Sequence, residues 1–314
     1  MLSTDTFLTG LYCLIDDFCK QHPISFEESN VWDCGRKRSL TRSEVITLSV
    51  YGQLARFQSE RDFWRYCEQC LTHLFPSLTD RAEFVRAQMR FQPTTEAFAL
   101  HLGQVLTPGG AKYEVIDRCG VATRTVGRRG RDWLGGYANH GYCGRLGFFH
   151  GLQLMCVVTD SAVITGYGIA AGSTKDQPMA HSLFAARHTK DPRLSSRGAT
   201  TGGGYYVVDR GFSGAKPRRF WATKLGAHVV GPQQKGHGPA WPRAWAKWAA
   251  GLRQIVETVH DRLVNFFRLG RERPHRIEGF KARLAAKIAL HNVLIWFNRQ
   301  HDRPALQFAD LIAW

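Results

Sequence analysis

The sequence lacks any long hydrophobic run and any regular spacing of cysteines. No apolar stretch reaches the length of about 18 residues that a membrane span needs, so we expect no membrane partner. Residues 1–20 carry Asp5, Asp16 and Asp17 and no basic head, which is not the pattern of a secretory signal peptide. Cys67-x-x-Cys70 is the one suggestive pair, but no second Cys/His pair has ligand spacing. These absences argue against a disulfide framework and a zinc site, and they predict a cytoplasmic chain with reduced thiols.

Acidic residues are also few relative to basic ones. The 314 residues include 42 Lys and Arg but 26 Asp and Glu, which gives a net charge of +16 and an isoelectric point near 9.8. This balance favours a polyanionic partner, of which nucleic acid is the commonest, although an RNA-associated or membrane-surface protein would share it. Because the basic residues are interleaved with apolar positions, we expect a folded binding surface and not a disordered arm.

The N-terminal part of the chain predicts a small all-helical domain. Apolar periodicity over residues 7–18 indicates a first helix, and Thr41-Arg-Ser-Glu44 is a capping-box pattern before a second. Pro108-Gly109-Gly110 breaks the pattern, so we predict domains at 1–108 and 109–300 and a peripheral C-terminal tail at 301–314. The helical domain could dock on DNA, as helix-turn-helix modules do, or serve as a packing or dimerisation lobe. The sequence leaves both open.

Two apolar stretches end in an aspartate followed by an arginine. They are Tyr113–Asp117 and Tyr205–Asp209. A buried strand that delivers a carboxylate to its C-terminal edge is how an α/β sheet often presents a catalytic or metal-binding group. Between them we predict a hairpin of strands at 148–158 and 163–171 and a helix that starts near Asp176. A further helix and strand at 216–230 and a long helix over 244–269 complete a β/α pattern.

A Gly- and Arg-rich connection follows Asp117. We predict a long loop there, from Arg118 to about Arg145, with Trp133, Tyr137 and Tyr142 among its arginines. Arginines and aromatics together suit phosphate contact and base stacking, whereas a solvated surface loop with turn glycines is the alternative.

Three meandering strands followed by β/α alternation resemble the ribonuclease-H-like fold, an α/β mixed sheet flanked by helices. The chain also resembles a DDE transposase of the bacterial insertion-sequence kind, in the group with a Tyr-x2-Arg-x3-Glu-x6-Lys signature helix. The resemblance is carried by Val115-Ile116-Asp117, by Val208-Asp209-Arg210-Gly211-Phe212 and by Arg253-Gln-Ile-Val-Glu257. The sequence departs from the signature at two places, because Ala250 replaces the Tyr and Val264 replaces the Lys. Outside the signature, a position in the second strand that is commonly basic in the family is His150.

The resemblance implies that Asp117, Asp209 and Glu257 are catalytic and hold two Mg²⁺ ions, for which we expect Mn²⁺ to substitute. Two such ions about 3.5–4 Å apart would serve in-line displacement at phosphorus, and hard cations prefer carboxylate oxygens. Asp117 would bridge both ions, and Arg253 lies one helical turn before Glu257. We predict DNA contacts for the arginines of this region: Arg118, Arg128, Arg129, Arg131, Arg210, Arg253, Arg262 and Arg268.

Other acidic residues compete with this triad. Helix capping accounts for Asp176, a turn for Asp160, and Glu114 should alternate to the opposite strand face from Asp117. The predicted function is transposition: binding of terminal inverted repeats, cleavage at element ends and transfer of 3′-OH ends to target DNA. The partners would be double-stranded DNA and a second copy of the chain, as a homodimer or larger homo-oligomer, in the bacterial cytoplasm near the nucleoid. The alternatives are a nuclease or resolvase that does not join strands and a catalytically inactive DNA-binding regulator.

Overall fold

The computed structural model describes residues 1–22, 40–54, 56–124, 134, 136–188, 204–232 and 241–313. The chain divides into two compact units, Leu100–Ile277 and the combination of Met1–Ala99 with Glu278–Trp314. The predicted functional boundaries at residues 108 and 300 stay a prediction. None of the helices in the described ranges is both long enough and apolar enough to cross a bilayer.

The unit formed by Met1–Ala99 and Glu278–Trp314 is helical. Its helices are α1 (Thr4–Gln21), α2 (Arg42–Tyr51), α3 (Glu60–Cys70), α4 (Arg81–Arg90), the start of α5 (Gln92–Val105) and nearly all of the last helix of the chain (Ile277–Gln300). The predicted capping box of α2 is confirmed, because the Thr41 hydroxyl accepts from the Glu44 N–H at 3.3 Å and Glu44 Oε2 accepts from the Thr41 N–H at 2.6 Å. These two bonds satisfy donors that the first turn of a helix leaves unpaired.

The C-terminal tail is integrated into this helical unit. The Leu2 N–H donates to the Leu311 carbonyl and the Ala313 N–H donates to the Leu2 carbonyl, both at 2.7 Å. Two apolar side chains of the tail, Phe308 and Ile312, are buried. The prediction that the tail is peripheral was therefore wrong, because its apolar side chains gain burial and its backbone pairs with the N-terminus.

The other unit, Leu100–Ile277, contains a six-stranded mixed sheet. Its strands are β1 (Glu114–Ala122), β2 (Asn139–Cys143), β3 (Gly147–Val158), β4 (Ile164–Ala171), β5 (Tyr205–Val207) and β6 (His228–Val230). Strand β3 is antiparallel to its three neighbours, with β1 on one side and both β2 and β4 on the other. Strands β1, β5 and β6 are parallel neighbours in that order. This is the ribonuclease-H-like α/β arrangement that the strand pattern predicted.

The predicted hairpin is confirmed, and one strand was missed. β3 and β4 pair around a turn in which the Thr159 N–H donates to the Val163 carbonyl at 3.0 Å and Ala162 has a φ of 62°. In contrast, part of the predicted Gly/Arg-rich loop forms β2, which pairs with the start of β3. The sequence of β2 shows no apolar alternation, so only its pairing with β3 reveals it.

The two faces of the sheet are covered by different helices. One face packs on α6 (Asp176–Arg187) and α7 (Ala215–Leu225), through a core that includes Ile116, Phe184 and Trp221. The long helix α8 (Arg243–Asp261) contacts β1, β3 and β5. Alternate side chains of β1 therefore point to opposite faces of the sheet. Ile116 packs with α6, whereas Asp117 lies within electrostatic range of Arg253 on α8.

Glu114 lies on the α6 face, as its alternation with Asp117 predicted. Its carboxylate accepts two bonds from Arg187 Nη2, at 2.9 and 2.8 Å, and a bond from the Thr165 hydroxyl. Arg187 also donates to the Thr165 carbonyl at 2.7 Å and to the Tyr206 hydroxyl at 3.3 Å. Both charged side chains are fully buried, so this network joins β1, β4, β5 and α6 inside the core.

The predicted long helix over residues 244–269 is shorter than expected. α8 ends at Asp261 and continues as a π-helical turn, Arg262–Phe266, after which Arg268 adopts a left-handed φ of 61°. A non-glycine residue in this region ends regular helix. A short 3-10 turn at Leu269–Arg271 follows before the final helix, α9, which covers Ile277–Gln300.

Candidate active site

Asp117 lies within β1, and Asp209 lies two residues after the end of the adjacent parallel strand β5. Val115 of β1 pairs with Val207 of β5, and each aspartate follows its paired valine by two residues. The register therefore puts the two aspartates at the same level across the parallel pair. The prediction that the first strand ends at Asp117 was wrong, because pairing with β3 extends β1 to Ala122. The repeated sequence context of the two aspartates thus has a structural counterpart in the strand register.

The environment of Asp117 is apolar and negatively charged. Its Oδ1 accepts the Arg118 N–H at 2.8 Å. Burial raises the pKa of the Asp117 carboxyl to about 7; the Arg118 N–H opposes the rise, and the negative charges of Asp209 and Asp176 add to it. Arg253 lowers the pKa in part, which places its guanidinium within electrostatic range. A buried carboxyl beside other carboxylates is a setting that a bound cation stabilises.

Asp209 caps a short turn after β5. Its Oδ1 accepts the Gly211 N–H at 2.7 Å at the start of a 3-10 turn, Arg210–Phe212. This bond fixes the side chain and leaves Oδ2 as a further acceptor. Arg210 is exposed at the same turn.

A third aspartate, Asp176, joins this pair, and its predicted role in helix capping was wrong. Asp176 does not cap α6, because the cap position is Lys175, which makes no side-chain cap bond. Its carboxylate instead accepts a bond from Arg118 Nε. Burial raises the pKa of Asp176, Arg118 opposes that rise, and Asp209 adds to it. An added Cβ at Gly211 would overlap Asp176 Oδ2, so the glycine allows this close approach. The sequence signal was an acidic residue at a helix start together with an arginine directly after Asp117.

Arg253 and Glu257 lie one turn apart on α8. Arg253 Nη2 is 3.3 Å from Glu257 Oε1, and their side chains are 37% and 57% exposed. Arg253 Nε has no hydrogen-bond partner among the residues that the structure describes. Since a guanidinium offers five N–H donors, Arg253 retains capacity to bind another acceptor such as a phosphate oxygen.

The described residues contain no group of three or more His, Cys, Asp or Glu side chains gathered closely enough to hold a metal ion. The structure brings Asp117, Asp209 and Asp176 into mutual electrostatic contact, whereas Glu257 is paired with Arg253. The oxygen-only ligands of Asp117 and Asp209, and the repulsion between them, suit a hard divalent cation. The contact with Arg253 uses Glu257 Oε1 and leaves Oε2 as a further acceptor.

The remaining predicted DNA-binding arginines have varied surroundings. Arg118 is bound to Asp176, and the Arg262 guanidinium lies 5.5 Å from the centre of the Phe266 ring. Arg268 is partly buried in its left-handed turn. Three others lie outside the described residues: Arg128, Arg129 and Arg131.

The residues that depart from the family pattern differ in their burial. Val264, in place of the signature Lys, is buried within the π-helical turn, so this position offers no cation to DNA. Ala250, in place of the Tyr, is exposed on α8. His150 is buried on β3, with its ring 5.2 Å from that of His140.

A ribonuclease-H-like sheet with two aspartates at the same level of neighbouring parallel strands is typical of enzymes that cut or transfer nucleic-acid strands with divalent metal ions. A family model described as "Transposase DDE domain" matches residues 115–293, which is more than half of the chain, from β1 into α9. The chain therefore belongs to the DDE transposase family of the insertion-sequence type. No curated protein and no solved structure matches it.

Proposed function

We propose that this chain is the transposase of a bacterial insertion sequence. It would bind the terminal inverted repeats, cleave DNA at the element ends and join the 3′-OH ends to target DNA, as a homodimer or larger homo-oligomer on paired ends in the nucleoid. The observation that carries the proposal is the level placement of Asp117 and Asp209 on neighbouring parallel strands within a DDE-family domain.

Asp117 and Asp209 would hold Mg²⁺, with Glu257 as the third carboxylate and Mn²⁺ as a substitute. When bound, the ions supply an activated attacking oxygen and stabilise the leaving oxygen. The protein's own part is to fix the ligands. The Gly211 N–H donates to the Asp209 carboxylate and fixes it, and the Arg118–Asp176 ion pair links β1 to the start of α6 beside Asp117. Arg253 would use its spare donors to orient a phosphate.

The chemistry comprises two displacements at phosphorus. In the first, a water oxygen bonds to phosphorus, the P–O3′ bond breaks, and a proton from water is lost while the 3′ oxygen leaves as a hydroxyl. In the second, the oxygen of that 3′-OH bonds to a target phosphorus and loses its proton, the target P–O3′ bond breaks, and the target 3′ oxygen takes up a proton and leaves as a hydroxyl. Both steps place growing negative charge on oxygen beside Arg253 and the metal-binding edge.

A strand-transfer assay tests this proposal. Labelled duplexes with the DNA that flanks the gene are incubated with a target plasmid and Mg²⁺. Joined products support transposition, and cleavage without joining supports a nuclease or resolvase. Binding alone supports an inactive DNA-binding regulator, the candidate that the buried Val264 favours.

Substitutions locate the site in the same assay. Asp117→Ala, Asp209→Ala and Glu257→Ala should each abolish cleavage and joining while DNA binding stays measurable. Asp160→Ala is the matched control, because Asp160 is exposed in the β3–β4 turn and should leave activity unchanged. Full activity in any one of the three site variants would refute the assignment of that residue.

A further inference from the structure

The apolar stripe of α8 continues beyond the part of the helix that is buried. Leu252, Val256 and Val259 are buried at helical spacing in the C-terminal part. At the N-terminal end the same stripe contains Trp245 and Trp248, and every residue from 243 to 248 is exposed. The first turns of α8 therefore present aromatic side chains that the sheet does not cover. We call residues 241–248 the tryptophan end of α8.

The tryptophans are held in place although they are exposed. Trp245 is 58% exposed and Trp248 is 41% exposed. The Trp245 ring lies edge-on to that of Trp241, with centroids 6.2 Å apart, and the Trp248 ring lies edge-on to Tyr113 at 5.4 Å. These contacts and the helical backbone limit the freedom of the rings, so little conformational entropy would be lost when a flat ligand stacks on them.

The charge around the tryptophan end selects the kind of partner. Residues 241–256 include Arg243, Lys247 and Arg253 and no aspartate or glutamate. Two copies of this surface placed face to face would bring like charges together, with no carboxylate of residues 241–256 between them. A polyanion with flat apolar groups satisfies both the cations and the indoles. Nucleic acid has that chemistry, and unpaired bases expose the faces that stack on indole rings.

The position of the tryptophan end relates it to the candidate active site. With a rise of about 1.5 Å per residue, Trp248 precedes Arg253 by about 7.5 Å along the helix axis, and Trp245 precedes Glu257 by about 18 Å. A strand that keeps the duplex rise of about 3.4 Å per nucleotide would cover these lengths with roughly two to five nucleotides.

We propose that the tryptophan end of α8 binds unpaired bases of the DNA strand that enters the active site. Trp245 and Trp248 stack on the bases, and Arg243 and Lys247 contact the adjoining phosphates. The proposal rests on the proposed function in one respect, namely that DNA occupies the site marked by Arg253 and Glu257.

Binding measurements separate stacking from phosphate contact. The probes are a fluorescein-labelled single strand of about 20 nucleotides, longer than the span of roughly five nucleotides derived above, and the same strand fully paired. Trp245→Ala and Trp248→Ala should each weaken single-strand binding about tenfold, leave duplex binding nearly unchanged and keep the salt dependence of the wild type. Arg243→Ala or Lys247→Ala should instead reduce the slope of log K against log salt by about 0.7.

Two further variants serve as controls. Trp245→Phe keeps an aromatic face and should retain most of the single-strand affinity, which guards against a folding defect in the alanine variant. Phe220→Ala removes an exposed aromatic side chain from α7 and should change neither affinity. Equal losses on single strand and duplex, or a loss with Phe220→Ala that matches those of the tryptophan variants, would overturn the proposal.

Other outcomes distinguish this proposal from the proposed function. Wild-type protein that binds the single strand through Trp245 and Trp248 but never cleaves element ends supports the stacking surface and contradicts the transposase assignment. Cleavage with single-strand binding that is insensitive to both tryptophans contradicts the stacking surface alone. A change in sedimentation of the DNA-free protein caused by Trp245→Ala would show that a second copy occupies this surface, which also overturns the proposal.

Discussion

The buried ion pair between Glu114 and Arg187 allows a quantitative prediction. Arg187→Met removes four hydrogen bonds: two to Glu114, one to the Thr165 carbonyl and one to the Tyr206 hydroxyl. The Glu114 carboxylate stays buried but loses the guanidinium that offsets its charge. Breaking such a pair by removing one partner lowers the free energy of unfolding by about 3–5 kcal/mol. That is a large share of the roughly 5–15 kcal/mol that stabilises a typical domain.

Arg253→Met is the matched control for this prediction. It makes the same chemical change in an Arg–Glu pair whose side chains are 37% and 57% exposed. Solvent screens an exposed pair, so its removal should lower the free energy of unfolding by at most about 1 kcal/mol. Urea unfolding followed by far-UV circular dichroism measures both variants, and a shift in midpoint at constant slope reports a change in stability.

A second substitution tests the origin of the loss. Glu114→Leu combined with Arg187→Met removes both charges, and replacing both partners by apolar residues should recover most of the stability lost by Arg187→Met alone. The reasoning is refuted if Arg187→Met is no more destabilising than Arg253→Met. It is also refuted if the double variant is less stable than Arg187→Met, since the loss would then not come from an uncompensated charge.

Two other predictions follow from single side chains. Burial, and to a smaller extent the charge of Arg145, lowers the pKa of His260 to about 4 from 6.5, so the folded state resists protonation that the unfolded state accepts. The stability that depends on neutral His260 is complete above pH 6.5 and is lost as pH falls towards 4, by up to about 3 kcal/mol. His260→Gln should remove this part of the pH dependence in urea unfolding, and parallel curves for variant and wild type would contradict it. Asp176→Asn should raise the Mg²⁺ concentration that gives half-maximal cleavage by about 10–100-fold without abolishing activity. This is the effect expected of a residue that positions metal ligands. A Mg²⁺ titration of cleavage checks this, and an unchanged midpoint would exclude the positioning role.

The sequence by itself determined the features that depend on local pattern. The capping box at Thr41 and Glu44, the β3–β4 turn and the apolar starts of the strands that carry or precede Asp117 and Asp209 follow from residue types within a few positions of each other. The order of these elements also indicated the ribonuclease-H-like sheet and the family, which the family model confirms. Local interactions fix such features before any distant contact forms.

Only the tertiary structure decided which side chains meet. Strand register places Asp117 level with Asp209, and the fold brings Asp176 to Arg118 across 58 positions of sequence. The same holds for β2, whose strand conformation depends on its partner β3, and for the burial of Val264 in a π-helical turn. The sequence also could not show that Trp245 is exposed. Helical periodicity identifies an apolar stripe but does not show where the surface that covers the stripe ends. These properties depend on packing between segments far apart in the chain, which the sequence pattern of any one segment does not encode.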